Sequence, residues 1–409
     1  MTSAAPPAGL YVHVPFCVSH CPYCDFVVVA GREARGPASR VDAFVQAVRM
    51  ELALRADALD ARWGPPGDAT RPGLHTLYLG GGTPSLLSGD VIAGIVALVR
   101  ERYALASGAE VTLEANPGPD ERGDATTWRD AGISRLSLGA QSMDGAELRR
   151  LGRRHRPDDV ARAVAEARAA GIESVSLDLL YDVPGATVDG WERTLDAALA
   201  LEPDHLSLYA LTLDDPDAEG LTGDAGDHLP LRPGARQWRA RARTEQEDDR
   251  AAEMYRRADA MLEAAGFSWY EISNWARPGH RSRHNMGYWT GRPWAAVGPG
   301  AHAFDGEIRS WNAARLDRYI ASLSPSDGSP PQLPPGGAEP VDATNRAASD
   351  AVLALRTSDG LAADALDGEL APALRWGLDA GLLAPAADER ITLTLRGRLL
   401  ADEVYVRLV

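Results

Sequence analysis

The sequence predicts an α/β protein built on a partial βα barrel, and three observations support this fold class. Short β-rich runs alternate with longer stretches of helical period, which is typical of parallel strands joined by right-handed crossovers. Six such units are present, too few for a closed eight-stranded barrel, so an open partial barrel or a doubly wound sheet is expected. Residues of unusual chemistry lie at the carboxyl end of every run, which favours the barrel because its βα loops form the functional rim.

The units follow one another through the first half of the chain. The predicted strands are Leu10–Val14, His75–Leu79, Glu110–Glu114, Ser134–Leu138, Ser174–Leu179 and His205–Leu211. The predicted helices between them are Arg40–Leu59, Gly89–Tyr103, Asp120–Ala131, Pro157–Ala170 and Val188–Leu201.

All 3 cysteines of the chain lie directly after the first strand, at Cys17, Cys21 and Cys24. Their odd number, the length of the chain and the lack of a signal-peptide pattern argue against a disulfide framework and predict a reducing, cytoplasmic location. Three thiolates in a C-x3-C-x2-C spacing can bind three irons of a cubane cluster and leave the fourth iron open. Structural zinc is the alternative, with His13 or His20 as the fourth ligand.

Each of the other strand ends also carries a residue suited to ligand binding. Taken singly, a glycine run is usually a tight turn, a carboxylate is usually a cap or an ion pair, and Arg153 resembles a solvated helix end. Their shared position at one rim nevertheless predicts a common site. The rim residues after strands two to six are Gly80–Pro84, Glu114, Gln141, Asp178 and Thr212.

The run from Tyr11 to Phe26, together with Gly80–Pro84, resembles the radical S-adenosylmethionine superfamily, and more narrowly its coproporphyrinogen dehydrogenase-like branch. The resemblance implies a [4Fe-4S] cluster on the three cysteines, with the methionine end of S-adenosylmethionine on the open iron. Reduction of such a cluster can cleave the sulfonium to a 5′-deoxyadenosyl radical. The chain departs from the family at Asp182, where glycine is usual, and this places the backbone of that loop in question.

The same resemblance assigns cofactor contacts residue by residue. Tyr11 and Tyr23 match positions that flank the cluster, and the loop for the methionine amino group is matched by Gly81, Gly82 and Thr83. The positions matching contacts to the amino acid, ribose or adenine portions are Glu114, Gln141, Arg153, Asp178 and Thr212.

A second motif occurs far from the cysteines, in the run from His284 to Trp289. A histidine among aromatic residues is most often a packed, hydrogen-bonded core residue. An imidazole can also bind heme iron, however, and aromatic rings can wall a porphyrin. The pattern H-N-x-x-Y-W is similar to the signature of HemW-type heme chaperones, which pass heme to acceptor proteins. The resemblance implies heme as a further ligand, with His284 as its leading axial ligand and Asn285, Tyr288 and Trp289 shaping the site.

The chaperone interpretation is preferred to an enzymatic one, although the sequence leaves the presence of catalysis open. Oxygen-independent coproporphyrinogen III dehydrogenase carries a long N-terminal extension and a further cysteine just after the triad. Here the first strand begins near Leu10, and Asp25 and Phe26 follow Cys24. Other porphyrin-modifying radical enzymes and a zinc-bound structural protein remain alternatives.

Composition limits the partners. A formal net charge of −16 argues against a nucleic-acid surface, and no apolar run is long enough to cross a bilayer. We therefore expect heme and heme-acceptor proteins as partners, with membrane-associated respiratory proteins as one class of acceptor.

The chain is expected to divide into four parts. These are a barrel with the cluster and cofactor sites at 1–213, an extension with the heme motif at 214–323, a Pro/Gly/Ser linker at 324–340, and a small winged-helix-like domain at 341–409. In the last part we predict helices at Thr344–Arg356, Leu361–Leu366 and Ala371–Ala380, and a strand at Arg390–Leu395. No role follows from the sequence for the acidic stretch Asp214–Asp249.

Overall fold

A large mixed sheet forms the centre of the protein, whose computed structural model describes residues 4–36, 38–342 and 345–409. The strands are β1 (Gly9–Val14), β2 (Phe16–Cys17), β3 (Val29–Ala30), β4 (Leu74–Gly81), β5 (Leu105–Ala115), β6 (Arg135–Gln141), β7 (Ser174–Tyr181), β8 (His205–Ala210), β9 (Ser268–Glu271), β10 (Asn274–Ala276), β11 (Trp294–Val297), β12 (His302–Phe304), β13 (Ile308–Asn312), β14 (Gly336–Pro340), β15 (Leu361–Ala362), β16 (Leu383–Ala386) and β17 (Arg390–Leu393).

The helices link the parallel strands of the large sheet or belong to the segments that follow them, including the C-terminal region. They are α1 (Val41–Trp63), α2 (Gly89–Tyr103), α3 (Ala125–Ala131), α4 (Gly145–Arg150), α5 (Pro157–Ala170), α6 (Val188–Leu199), α7 (Pro233–Arg243), α8 (Asp248–Ala264), α9 (Arg283–Trp289), α10 (Leu316–Leu323), α11 (Arg346–Leu355), α12 (Ala371–Asp379), α13 (Leu395–Leu399) and α14 (Ala401–Leu408).

Six parallel strands in the order β1-β4-β5-β6-β7-β8 confirm the partial βα barrel. Strand β11 pairs in parallel with β1, and β12 to β14 continue from it as antiparallel strands. At the opposite edge, β10 and β9 add to β8 in antiparallel fashion. The segment predicted as a separate extension therefore lengthens the barrel sheet at both edges.

The predicted elements of the barrel correspond closely to the observed ones. Helices α2 and α5 have the predicted bounds, and the six predicted strands are all present. The predicted helix Asp120–Ala131 is wrong in its first part, because the Asp124 side chain accepts a hydrogen bond from the Thr126 amide (2.9 Å) and so begins α3 at Ala125. Residue Gly123 before this cap has a φ of +68°, which a helix cannot contain.

The C-terminal region packs around a core of its own. Helices α11 to α14 surround a three-stranded sheet of order β15-β17-β16, and the buried residues of this core include Leu355, Leu374 and Val404. The prediction of a helix at Leu361–Leu366 is wrong, because Leu361 and Ala362 pair with β17 and only a 3-10 turn follows at Ala363–Asp367. Thr344, the first residue of the predicted helix Thr344–Arg356, lies outside the described residues.

One further difference concerns the predicted linker. Gly336–Pro340, inside the predicted linker, forms β14 by pairing with β13. In the barrel, the apolar side chains Leu10, Val12 and Val14 alternate along β1, so they share one face of the strand, and all three are fully buried. Within the described part of the chain, none of the helices combines the length and hydrophobicity that a membrane span requires.

Candidate iron-sulfur and cofactor site

A cavity of about 580 Å³ opens at the carboxyl ends of the barrel strands and has the size of a small-molecule site. It brings together most of the rim residues that the sequence predicts, although they are distant in the chain. The predicted residues that line it are Cys17, Cys21, Tyr23, Cys24, Gly81, Gly82, Glu114, Gln141, Arg153, Asp178, Thr212 and Asn285. The predicted residues outside its lining are Tyr11, Thr83, His284, Tyr288 and Trp289.

The cysteine loop runs from the end of β1 along one wall of this cavity. The Cys17 thiol lies 3.1 Å from the Thr83 hydroxyl, and Arg153 Nη1 lies 3.7 Å from Cys21 Sγ. Burial raises the pKa of Cys17 to about 12 and also raises the pKa of Cys24. Bound cations are therefore needed to hold these side chains as thiolates.

The donor set fits a cluster better than a single ion. Among residues 4–36, 38–342 and 345–409, no group of three or more His, Cys, Asp or Glu side chains converges on one metal position. Structural zinc requires such convergence, whereas a cubane cluster distributes three thiolates over three different irons. A cluster bound here would supply the electron for chemistry on the cofactor at its open iron.

Arg239 on α7 holds the cysteine loop in place, a role that sequence reasoning missed. Its side chain is 2% exposed and donates to the carbonyls of Pro22 (3.0 Å), Tyr23 (2.9 Å) and Cys24 (3.1 Å). It also forms an ion pair with Asp25. The sequence offered no signal for this residue, because Arg239 is one of several arginines in an Arg-rich helix.

Two glycines of the rim allow close contact between chain segments. Gly81 has a φ of +107°, and a Cβ on Gly82 would lie 2.7 Å from the Phe16 carbonyl oxygen and 2.9 Å from that of Val14. The Gly82 amide donates to the Val14 carbonyl (2.8 Å). The glycine loop therefore packs directly on the chain that leads into Cys17.

Glu114 presents a buried carboxylate at this loop. It accepts hydrogen bonds from the Tyr78 hydroxyl (2.7 Å) and the Gly81 amide (2.9 Å). Burial, assisted by the nearby Asp178 carboxylate, raises the pKa of Glu114 from 4.5 to about 7, although the two hydrogen bonds act in the opposite direction. A positively charged ligand in the cavity would favour the ionised form.

This pKa predicts how pH affects cofactor binding. Because the folded protein favours protonated Glu114, the contribution of this group to stability is present below pH 4.5 and is lost as the pH rises through about 7. A cationic cofactor needs the ionised form, so we expect the affinity for S-adenosylmethionine to rise about tenfold between roughly pH 6 and 8. Titration of cluster-loaded protein with S-adenosylmethionine at several pH values measures this affinity. Glu114→Gln should flatten the dependence of the affinity on pH. An equally steep profile in Glu114→Gln would place the responsible group elsewhere.

Arg153 joins the cysteine loop to the middle of the barrel. Its guanidinium donates to Asn116 Oδ1 and to the Gly139 carbonyl (2.8 Å), in addition to its contact with Cys21. Its Nε is buried and has no partner in the described part of the chain. Asn116 in turn donates to the Thr83 hydroxyl (2.9 Å), so it connects the arginine to the glycine loop. Sequence reasoning missed Asn116, which follows β5 as the rim pattern requires.

Asp178 and Gln141 occupy neighbouring strand ends. Burial raises the pKa of Asp178, although hydrogen bonds from Ser207 and Ser137, the latter at 2.9 Å, oppose the shift. Gln141 has a φ of +65°, an uncommon conformation for a residue other than glycine, and it lies where the pairing of β6 with β7 shifts register.

The structure explains the unusual Asp182. This residue has a φ of +54°, in the left-handed region that glycine adopts freely and aspartate tolerates better than most residues. Its carboxylate is held by Arg250 of α8, whose Nε donates at 2.8 Å. The loop therefore keeps a glycine-like backbone, and the ion pair with Arg250 stabilises it.

The second motif forms α9 and lies against β1 and β4. His284 is 3% exposed, and both of its ring nitrogens have partners: Nδ1 contacts the Thr76 hydroxyl at 2.8 Å and Nε2 contacts the Tyr288 hydroxyl at 2.7 Å. Burial lowers the pKa of His284 to about 3. Its ring stacks on Tyr78, with centroids 5.0 Å apart. In this arrangement His284 is a packed core residue, and ligation of iron would require one of its hydrogen bonds to break.

The other residues of the motif face different surroundings. Asn285 lines the large cavity, whereas the Trp289 ring lies under Arg356, 4.2 Å from its guanidinium carbon. The Tyr11 hydroxyl contacts His13 Nδ1 at 3.0 Å, and burial raises the pKa of Tyr11 well above its ordinary value. Tyr11 therefore belongs to the aromatic layer beneath the rim.

The sequence and fold of this chain are similar to those of known proteins. The radical SAM superfamily model matches residues 11–198. In fold, the chain is similar to Escherichia coli coproporphyrinogen III oxidase (HemN), a radical SAM enzyme, with a TM-score of 0.75 and 21% identity over 99% of this chain and 90% of that one. The fold and the cysteine loop thus define a radical SAM protein, with a [4Fe-4S] cluster and S-adenosylmethionine as the cofactors of its class.

Two sequence relatives narrow this class. The heme chaperone HemW of Mycobacterium tuberculosis is 40% identical over 398 residues, which cover 97% of this chain and 94% of that protein. The heme chaperone HemW of Escherichia coli is 34% identical over 297 residues, 73% of this chain and 70% of that protein. The chain belongs to the HemW family.

Proposed function

We propose that the protein is a heme chaperone, which binds heme and delivers it to acceptor proteins while carrying a [4Fe-4S] cluster and S-adenosylmethionine at the barrel rim. The observation that carries this proposal is the 40% identity to a heme chaperone over nearly the full length of both chains. We propose the cytoplasm as its location and membrane-associated respiratory proteins as one class of acceptor. A net charge of −16 is consistent with protein rather than nucleic-acid partners.

The proposed site has two parts. The cluster is assigned to the three cysteines and the cofactor to the rim residues around Glu114, and their convergence on one cavity supports this assignment. The cavity is also lined by the buried carboxyl groups of Glu114 and Asp178 and by the Arg153 guanidinium. This combination suits a ligand that carries both positive and negative charges. The predicted heme segment is His284 to Trp289, and its aromatic rings are available as an apolar wall.

A porphyrinogen-modifying radical enzyme is the second candidate, because the fold of HemN extends over 99% of this chain. The residues after the triad argue against it. Asp25 and Phe26 occupy the place of the further cysteine, and Asp25 is engaged by Arg239. A fold match at 21% identity does not carry an activity with it.

One paired assay separates the two candidates. Anaerobically reconstituted protein is loaded with ferric heme and tested for transfer to a heme-free acceptor. The same preparation without heme is supplied with coproporphyrinogen III, S-adenosylmethionine, a reductant for the cluster and an electron acceptor. We expect one heme per chain, transfer to the acceptor and no measurable porphyrinogen conversion. Robust conversion by the wild-type protein would overturn the chaperone proposal even if heme also binds.

A further inference from the structure

A second cavity, of about 370 Å³, lies beside the cysteine loop and is walled mainly by aromatic rings. Asp25 and Phe26 line both this cavity and the large one, so the two are neighbours. Phe26 is 64% exposed, which places a large apolar ring at the opening. Such walls suit a flat apolar ring system better than a polar ligand. The aromatic residues of the lining are Tyr11, Phe26, Tyr288, Trp289 and Trp294.

Three histidines line the same cavity, and two of them are poorly placed to bind iron. Both ring nitrogens of His13 are engaged, since Nε2 contacts the Val27 carbonyl at 2.9 Å and Nδ1 contacts the Tyr11 hydroxyl. His302 Nε2 lies 2.8 Å from Asp227 Oδ2. The other ring nitrogen of His302, Nδ1, lies next to the Cβ of the same residue. A porphyrin bound to iron at Nδ1 would clash with this Cβ.

His228 differs from both. Its Nδ1 lies 3.0 Å from Asp227 Oδ1, while its Nε2 has no protein partner in the described part of the chain. Its side chain is 30% exposed, so a ligand can reach it. Histidines that bind metals usually donate their second N–H to a carboxylate or carbonyl, which fixes the ring orientation and makes the free nitrogen a better ligand. The Asp227–His228 pair has this arrangement.

The segment that carries this pair is held firmly against the barrel. The Gly226 carbonyl accepts from the Ala314 amide (2.9 Å), and the Ala225 carbonyl accepts from Trp311 Nε1 (3.1 Å). A Cβ on Gly300 would lie 3.0 Å from the Asp227 carbonyl oxygen. The two residues before Asp227 are thus anchored by hydrogen bonds and Asp227 itself packs closely on Gly300, although it lies in an acidic stretch that resembles a solvated loop in sequence.

We propose that heme binds in this second cavity with His228 Nε2 as its axial ligand, Asp227 as the residue that orients His228, and Phe26 and Trp289 against the porphyrin. This inference rests on the proposed heme-chaperone function and names the site for its cargo. It also gives a role to the acidic stretch and places the cargo next to the cluster loop.

The test uses ferric heme and iron-free protoporphyrin IX as probes on cluster-loaded, full-length protein. In His228→Ala we expect the heme Soret band to shift and heme affinity to fall at least tenfold, because axial ligation is lost. Affinity for protoporphyrin IX should change less than twofold, since it has no iron to ligate. In His228→Gly, added imidazole should restore the wild-type Soret band. Phe26→Ala should lower the affinity for ferric heme and for protoporphyrin IX to the same extent.

Control variants separate the possible failures. His284→Ala and His302→Ala test the other histidines, and the cluster absorption of each variant reports whether the fold is retained. A wild-type Soret band and affinity in His228→Ala, or their loss only in His284→Ala or His302→Ala, would overturn the assignment of His228. Absence of heme binding by the wild-type protein would instead contradict the proposed function itself.

Discussion

Alanine in place of any one of Cys17, Cys21 or Cys24 is expected to abolish the [4Fe-4S] cluster. Each thiolate binds a separate iron, and the chain has 3 cysteines in all, so none can substitute for another. Anaerobic reconstitution of the wild-type protein should give about four irons and four acid-labile sulfides per chain. Each variant should lose both, together with the visible absorption of the cluster.

Ser19→Ala provides the matched control, because Ser19 lies in the same loop and lines the same cavity but carries no thiol. It should retain the full iron content. Wild-type absorption and iron in all three cysteine variants would refute the cluster assignment. Bound zinc without acid-labile sulfide would instead support the structural-metal alternative.

Replacing Arg239 by alanine should have the next largest effect, a loss of stability of the cysteine loop. The substitution removes the donors for three main-chain carbonyls of the loop and the partner of Asp25. An unpaired buried acceptor costs about 1–3 kcal/mol, so we expect a destabilisation of about 2–4 kcal/mol. The rate at which a chelator removes iron from the reconstituted protein should rise at least tenfold.

Two companion variants make this test specific. Arg239→Lys should not restore the wild-type rate, because an ammonium lacks the fork of donors that reaches several carbonyls at once. Arg241→Ala, an exposed arginine on the same helix, should behave as the wild type. If Arg239→Ala releases iron no faster than Arg241→Ala, the loop is held by other contacts.

The barrel and a cysteine-bearing rim could be predicted from local sequence pattern alone, and the three cysteines remain the predicted cluster ligands. Strand and helix periodicity are local properties, so the six parallel strands and helices such as Gly89–Tyr103 could be predicted from short windows. The cysteine spacing is also local, and parallel strands place their carboxyl ends at one rim, which brought Glu114 and Asp178 into a single predicted site.

The availability of side chains for binding could not be predicted from sequence, because it depends on long-range contacts. Arg239 contacts the cysteine loop through long-range hydrogen bonds, and nothing in its local sequence distinguishes it from the other arginines of α7. Long-range contacts also decide which of two histidines, His284 or His228, has a ring nitrogen available to bind iron. His284, conspicuous in its motif, has both ring nitrogens engaged in the packed layer beneath the rim. His228 lies in an acidic stretch without a recognisable pattern, and its Nε2, beside an aromatic cavity, has no partner among the described residues. Hydrogen-bond partners and burial depend on segments distant in the chain, so sequence pattern specifies residue type and spacing but not the availability of a ring nitrogen.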